Sequence, residues 1–306
     1  MNKYNMVPMN SIQGYNSVKP RGLYNSGVIC YFNSVIQSLL SLPSFVIYLE
    51  TDKANSNEIL KYIKECPAYS KDSNLYDLTL FNVFLTKYRN KYKNSNFGNG
   101  QEDAGELLSH ILDIIDDEYI NSLFKHVYKC NLFCLSCRKS KEITSDTGFI
   151  FNVPYGAVQN NCIISKNATV LENDLTKYIR NNYSKCNGYK CDFCGSFEII
   201  KTNRLLTLPT VIYISFNKFY NKYIQEFPNS LEFINSVTEK NKHIFSVLST
   251  IHHNGTMSSG HYYSICNRGE LWYELNDTIV TERSRDMSPE ELASCYMVCY
   301  HYLTTI

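Results

Sequence analysis

An α+β architecture is predicted by three features of the chain. Apolar residues recur at helical spacing up to about residue 125, strand-like alternation replaces that spacing afterwards, and the two regimes do not interleave as βαβ units. Helices come first and strands follow.

The first helix is predicted over Tyr31–Leu42, where Phe32, Val35, Ile36, Leu39 and Leu40 share one face and Pro43 ends the run. Leu75–Tyr88 reads as a second amphipathic helix, and Lys91–Gly100 as a polar loop. Glu102–Tyr119 gives the clearest helical signal, with Leu107, Leu108, Ile111, Leu112 and Ile115 on one side. Beyond Phe124, Thr147–Val153 alternates, and Thr210–Phe219 is rich in branched and aromatic residues. Ile244–Ile251, His261–Cys266, Leu271–Leu275 and Tyr296–Tyr302 complete a β-rich C-terminal half, with Asn267-Arg268-Gly269 as a hairpin turn. Residues 1–19 carry Asn, Ser, Gly and Pro without periodicity and read as a tail.

Composition narrows the function classes. The 306 residues are 44% hydrophobic and 19% charged, an ordinary globular balance. Lys plus Arg number 30 against 29 Asp plus Glu, a net charge of +1, so bulk attraction to nucleic acid or an anionic membrane is not expected. No apolar run approaches the roughly 20 residues of a membrane helix, and no signal-peptide core precedes residue 16. The chain is therefore expected to be soluble and intracellular, in the cytoplasm or nucleus. In such a compartment its 12 cysteines point first to metal or catalysis.

Cys30 opens the first helix behind the turn Asn25-Ser-Gly27. A helix N-terminus offers unpaired N–H groups and a positive partial charge, which favour thiolate and can hold an oxyanion. Asn25 can add a side-chain amide to the same oxygen. The competing reading of Cys30 is a small buried hydrophobe. A nucleophilic cysteine needs a base and a group to orient it. Of the seven histidines, His261 has chemical company: Ser258, Ser259 and Gly260 leave room for an extended backbone. Asn276 and Asp277 end the strand expected to pair with that of His261, and either can bond its imidazole.

Cys134-Leu-Ser-Cys137 and Cys191-Asp-Phe-Cys194 are two C-x-x-C pairs. Each spacer lets one turn aim two sulfurs at an ion, and two such knuckles close a tetrahedral Zn–S₄ site. Unrelated buried thiols are the other reading. Cys130 and Cys186 lie nearby, and Cys66, Cys162, Cys266, Cys295 and Cys299 read as packing.

With these residues on the page, the chain resembles the ubiquitin-specific proteases, papain-like cysteine deubiquitinases. Gly22-Leu-x-Asn25-x-Gly27-x-x-Cys30-Tyr31-x-Asn33-Ser-x-x-Gln37 is similar to the family's cysteine box, and Gln101-Glu-Asp-Ala-Gly-Glu106-Leu-Leu to its second box. The cysteine pairs fall where its zinc knuckles fall. Leu208-Pro209 through Phe219, then Phe227-Pro228, resembles the segment after the second knuckle. His253-x-Gly255, Gly260-His261-Tyr262, Trp272-x-x-x-Asn276-Asp277 and the Tyr296 strand are similar to the histidine box and domain end. The order matches from about Arg21 to Leu303.

The resemblance implies a papain-like fold with thumb (about 20–125), fingers (about 126–215) and palm (about 210–303) in one catalytic domain, 20–303. It implies ubiquitin and its conjugates as partners of a chain expected to be a monomer, and one structural Zn²⁺ on Cys134, Cys137, Cys191 and Cys194 with no catalytic cofactor. Cys30 is then the nucleophile, His261 its base and Asn276 the orienting residue, with Asp277 a neighbouring candidate for that role. Asn25 and the Cys30 amide hold the oxyanion. Asp103 and Glu106 take arginines near the modifier's tail, and Gly260 and Tyr262 flank its path. The sequence departs from the family at Val28 and Ile29, where Asn-Thr is usual, and at Lys218, where Arg is common. The alternatives are an inactive relative that binds ubiquitin, a protease for another ubiquitin-like modifier, and a zinc-stabilised interaction module. At this length the chain is expected to be close to a bare catalytic domain.

Overall fold

The computed structural model describes residues 19–70, 78–93, 95–154, 174–216, 227–234, 242–256 and 259–305. The tail up to residue 18, the start of the helix expected from Leu75, and Cys162, Lys218, Phe219 and Ser258 lie outside the described residues.

The first part is helical: α1 (Cys30–Leu39), α2 (Pro43–Leu49), α3 (Asp52–Asn55), α4 (Glu58–Glu65), α5 (Thr79–Lys91), α6 (Ala104–Ile115) and α7 (Glu118–Phe124). Pro43 ends the first apolar run, as its chemistry demands, and also starts α2 at a position where its missing N–H is harmless. The single helix expected over Glu102–Tyr119 is two. Asp116 turns left-handed (φ 41°) after α6, and the Asp117 carboxylate then accepts the N–H groups of Tyr119 and Ile120 to start α7.

Strands β1 (His126–Cys134), β2 (Ser140–Gly148) and β3 (Ile150–Asn152) follow, then α8 (Asp174–Arg180), β4 (Asn181–Lys185), β5 (Ile199–Thr207) and β6 (Val211–Ser215). The chain closes with β7 (Ser230–Ile234), β8 (Lys242–Gly255), β9 (Gly260–Arg268), β10 (Leu271–Asn276), β11 (Ile279–Arg283), α9 (Pro289–Ser294) and β12 (Cys295–Thr305). They form two sheets: β2-β1-β5-β4, and β11-β10-β9-β8-β12-β6-β3 with β7 pairing β8. The strand expected over Thr147–Val153 is therefore divided between sheets, because β3 leaves β2 to pair in parallel with β6. By pairing, 150–152 and 211–215 belong with the eight-stranded sheet.

α1 is the centre of the molecule. All ten of its residues are buried, and it packs between α6 and the strands β8 and β9. Alternation along β6 sends Val211 and Tyr213 into this core and Ile212 and Ile214 into a second core on the opposite face. A helix buried on every side must satisfy its polar groups internally. Ser38 does so against Tyr213 (2.8 Å) and Ser249 (2.7 Å). Asn33 and Gln37, one turn apart, do so by holding the chain that leads into the site. No single helix among the described residues is long and apolar enough to cross a membrane.

Candidate active site

The segment before α1 is pinned from two sides. Gln37 Nε2 donates to the Arg21 carbonyl (2.7 Å), and Asn33 Nδ2 donates to the Tyr24 carbonyl (3.1 Å). From the β10–β11 turn, the Asp277 carbonyl accepts the Leu23 N–H (2.8 Å). Gly22 lies so close to that turn that a Cβ would stand 2.5 Å from the Asp277 oxygen. The Asp277 carboxylate accepts from Asn33 Nδ2 (2.8 Å) through one oxygen and from Asn25 Nδ2 (2.9 Å) through the other. Asn25 Oδ1 in turn accepts the N–H groups of Gly27 (2.8 Å) and Ile29 (3.1 Å), which folds the loop in front of Cys30.

Cys30 is the first residue of α1. The preceding Ile29 supplies no side-chain cap, so the first-turn amides are not occupied from that side. Burial is the largest influence on its thiol and pushes the pKa up. The Tyr262 backbone N–H lowers it, the Asp277 charge raises it, and the amides of Tyr31 and of Cys30 itself lower it; the net direction is upward. Desolvation and Asp277 thus outweigh the helix terminus, and the resting sulfur is a protonated thiol at neutral pH. Of the two residues that depart from the family pattern, Ile29 is buried and Val28 is exposed.

His261 stands on β9, one residue before the amide that faces the sulfur. Its Nε2 lies 2.6 Å from Asn276 Oδ1 and 3.8 Å from Asp277 Oδ2. An oxygen acceptor at that distance makes Nε2 the protonated nitrogen and leaves the lone pair on Nδ1. Asn276 therefore touches the imidazole, while Asp277, left-handed at φ 52°, ties the cysteine loop to the hairpin. Sequence reasoning gave these neighbours similar roles; the turn between them sends their side chains to different partners.

Of the other expected site residues, Asp103 caps α6 rather than lying on it: one oxygen accepts the Glu106 N–H (2.7 Å) and the other the Tyr296 hydroxyl (2.6 Å). Glu106 is exposed and meets His110 at 3.3 Å. Both carboxylates line a cleft of about 440 Å³ with Phe149, Ile150 and Tyr296 between the helical half and the strands. The Tyr262 side chain is buried against Tyr296, so its backbone amide, not its ring, faces the Cys30 sulfur. Gly260 admits no side chain, because a Cβ would lie 2.2 Å from His253 Nε2. Asn33, Gln37 and Tyr296 carry contacts that the sequence reading did not assign. The signal for the first two was present: two amides one turn apart in a helix whose other face is apolar.

At the far end of the four-stranded sheet, the sulfurs of Cys134, Cys137, Cys191 and Cys194 all lie within 4.8 Å of one another. Cys134–Cys194 and Cys137–Cys191 are separated by 3.6 and 3.7 Å. Tetrahedral Zn–S bonds of about 2.3 Å require sulfurs about 3.8 Å apart, so the residues fit the ion. Each knuckle closes the same way: the N–H groups of Arg138 and Gly195 reach the carbonyls of Cys134 and Cys191 (2.9 Å each), and both donors are left-handed (φ 58° and 74°). The Cys137 N–H is the first cause that brings the Cys134 thiol below its ordinary value, towards the form that binds metal. Cys130 is buried in the second core, and no described cysteine forms a disulfide.

Comparison with known proteins gives a consistent result. In the fission yeast Schizosaccharomyces pombe, ubiquitin carboxyl-terminal hydrolase 11 is 24% identical over 92% of this chain and 84% of its own length. Human ubiquitin carboxyl-terminal hydrolase 24 is 22% identical over 85% of this chain, which spans 12% of that much longer protein. Among solved structures, the SAGA Ubp8/Sgf11/Sus1/Sgf73 DUB module bound to ubiquitin aldehyde contains a chain of the same fold (TM-score 0.70, 21% identity, 96% of this chain and 72% of that one). The profile described as "Ubiquitin carboxyl-terminal hydrolase" matches residues 21–300. The chain, with its thumb, fingers and palm, belongs to the ubiquitin carboxyl-terminal hydrolase family.

Proposed function

We infer that the protein is a cysteine deubiquitinase that hydrolyses the peptide or isopeptide bond after the C-terminal glycine of ubiquitin. One observation carries the assignment of roles: Cys30 opens an uncapped helix against the Tyr262 amide, next to a histidine whose Nε2 is 2.6 Å from Asn276. His261 Nδ1 takes the proton from Cys30, and the thiolate attacks the glycine carbonyl carbon. The oxyanion is held by the Cys30 amide, with the second N–H of the Asn25 carboxamide beside it; the first is engaged by Asp277. When the tetrahedral intermediate collapses, His261 donates its proton to the departing lysine amine and a thioester remains. Water, deprotonated by His261, then releases ubiquitin as a carboxylate and restores the thiol.

Asn276 keeps Nε2 protonated and the lone pair on Nδ1 throughout; Asp277 is a positioning residue. Asp103 and Glu106 give the cleft an acidic wall for a basic tail, and the tail passes Gly260 and the Tyr262 backbone. One structural zinc per chain on Cys134, Cys137, Cys191 and Cys194 would hold the fingertip and take no part in the chemistry. A monomer in the reducing cytoplasm or nucleus fits the free thiols.

The test is hydrolysis of a fluorogenic ubiquitin C-terminal amide by wild type and Cys30→Ala. The expected result is turnover that disappears in the variant. A folded wild type that binds ubiquitin without turning it over would overturn the enzymatic reading, and turnover of only another modifier's amide would overturn the substrate.

A further inference from the structure

The bare edge of β9 lies beside the nucleophile. β10 pairs with β9 from Ser264 to Arg268 and no further, so Gly260–Tyr263 have no partner from β10. Along this edge alternate residues turn their backbone groups the same way. Tyr262 turns its N–H to the Cys30 sulfur. Gly260, two residues earlier, turns both its groups to one side chain: its N–H donates to Gln101 Oε1 (2.9 Å), and its carbonyl accepts from Gln101 Nε2 (2.8 Å).

A carboxamide presents the same donor and acceptor as a peptide unit. Gln101 thus makes with Gly260 the pair of bonds that one residue of an added strand would make. The contact crosses from the loop before α6 to the start of β9, one residue from His261. Gly260 cannot move its backbone behind a side chain, since His253 fills that space. Its N–H and its carbonyl both point to this edge. An extended chain running along the edge towards Cys30 must displace Gln101 to use them.

We propose that Gln101 is a latch: its carboxamide occupies the peptide subsite at Gly260 in the free enzyme and yields it to the extended tail of the substrate. This rests on the deubiquitinase reading for the identity of the tail, though not for the contact itself. The latch is weak by construction, because both bonds are exposed. It lowers apparent affinity by the fraction of molecules that are closed. The rate of the bonded complex is untouched, because Gln101 has left the edge by then.

Two measurements on the full chain test this with Gln101→Ala and Gln101→Glu; the second keeps the acceptor but sets a carboxylate against the Gly260 carbonyl. For the fluorogenic ubiquitin amide, KM is expected to fall about three- to tenfold in both variants with kcat unchanged. Hydrogen exchange at the Gly260 amide, read without substrate, is expected to accelerate in Gln101→Ala, which removes its acceptor. A rise in KM would overturn the proposal, because Gln101 would then be holding the substrate itself. Unchanged KM with unchanged exchange would also overturn it. Loss of Gly260 protection in an enzyme that turns over no ubiquitin amide would leave the latch standing and remove the deubiquitinase reading instead.

Discussion

Replacing Asp277 with alanine separates the orienting residue from the positioning one. The carboxylate is 15% exposed and accepts two side-chain hydrogen bonds, from Asn25 (2.9 Å) and from Asn33 (2.8 Å). Bonds to a charged acceptor are worth about 1.5–3 kcal/mol each, and Asn33 keeps a second partner in the Tyr24 carbonyl, so a net loss of about 2–4 kcal/mol in unfolding free energy is expected. Part of it is strain, since alanine disfavours the left-handed backbone at φ 52°. Asp277→Asn tolerates that backbone and keeps one acceptor, but sets an amide against Asn25 Nδ2, whose own oxygen is already engaged. It is expected to lose about 1–3 kcal/mol. Urea unfolding followed by the single tryptophan, Trp272 on β10, measures both. kcat/KM should fall about 10- to 100-fold in the alanine variant through the loosened loop. The Cys30 thiol should shift to a lower pKa, because a charge that raises it is gone, and iodoacetamide should alkylate it at lower pH than wild type. Stability within about 0.5 kcal/mol of wild type together with kcat/KM within about twofold would refute the positioning role.

Two further predictions concern metal and pH. Purified protein should contain one zinc per chain, and Cys134→Ser or strong chelation should lower the unfolding midpoint; zinc-free protein of unchanged stability would dispose of the structural ion. Burial holds His126 and His301 down to about 4 from an ordinary 6.5, so the folded chain binds fewer protons than the unfolded one between those values. Their contribution is complete above pH 6.5 and is lost as pH falls towards 4, about 3 kcal/mol for each. His126→Phe keeps the stack on Phe151 and should lessen the loss of stability between pH 7 and 4.5; an unaltered slope would contradict the neutral buried imidazole.

Much of the site was legible in the sequence because its chemistry is local. A cysteine behind Asn25-Ser-Gly27 at the start of an apolar run reads as a thiol on a helix terminus, and Cys30 is the first residue of α1. Two C-x-x-C turns each aim their own sulfurs, so the pairs could be read before their meeting was known. The helix-then-strand order likewise needs only period. What periodicity could not see were two breaks: the left-handed Asp116 that divides one apolar run into two helices, and the crossing after Gly148 that carries β3 into the other sheet.

Tertiary structure decided which of two adjacent side chains does what. Asn276 and Asp277 are one residue apart in sequence, but a left-handed turn sends one to the imidazole and the other to the cysteine loop. It decided that Asp103 spends its oxygens on a helix cap and on Tyr296, and that the Tyr262 ring is core while its amide faces the sulfur. It also decided the protonation of Cys30: the sequence supplies the helix terminus that lowers the pKa, but only packing supplies the desolvation and the nearby carboxylate that outweigh it. Residue type and spacing state which groups are available; burial and the direction of each bond, set by contacts hundreds of residues apart, determine what each group does.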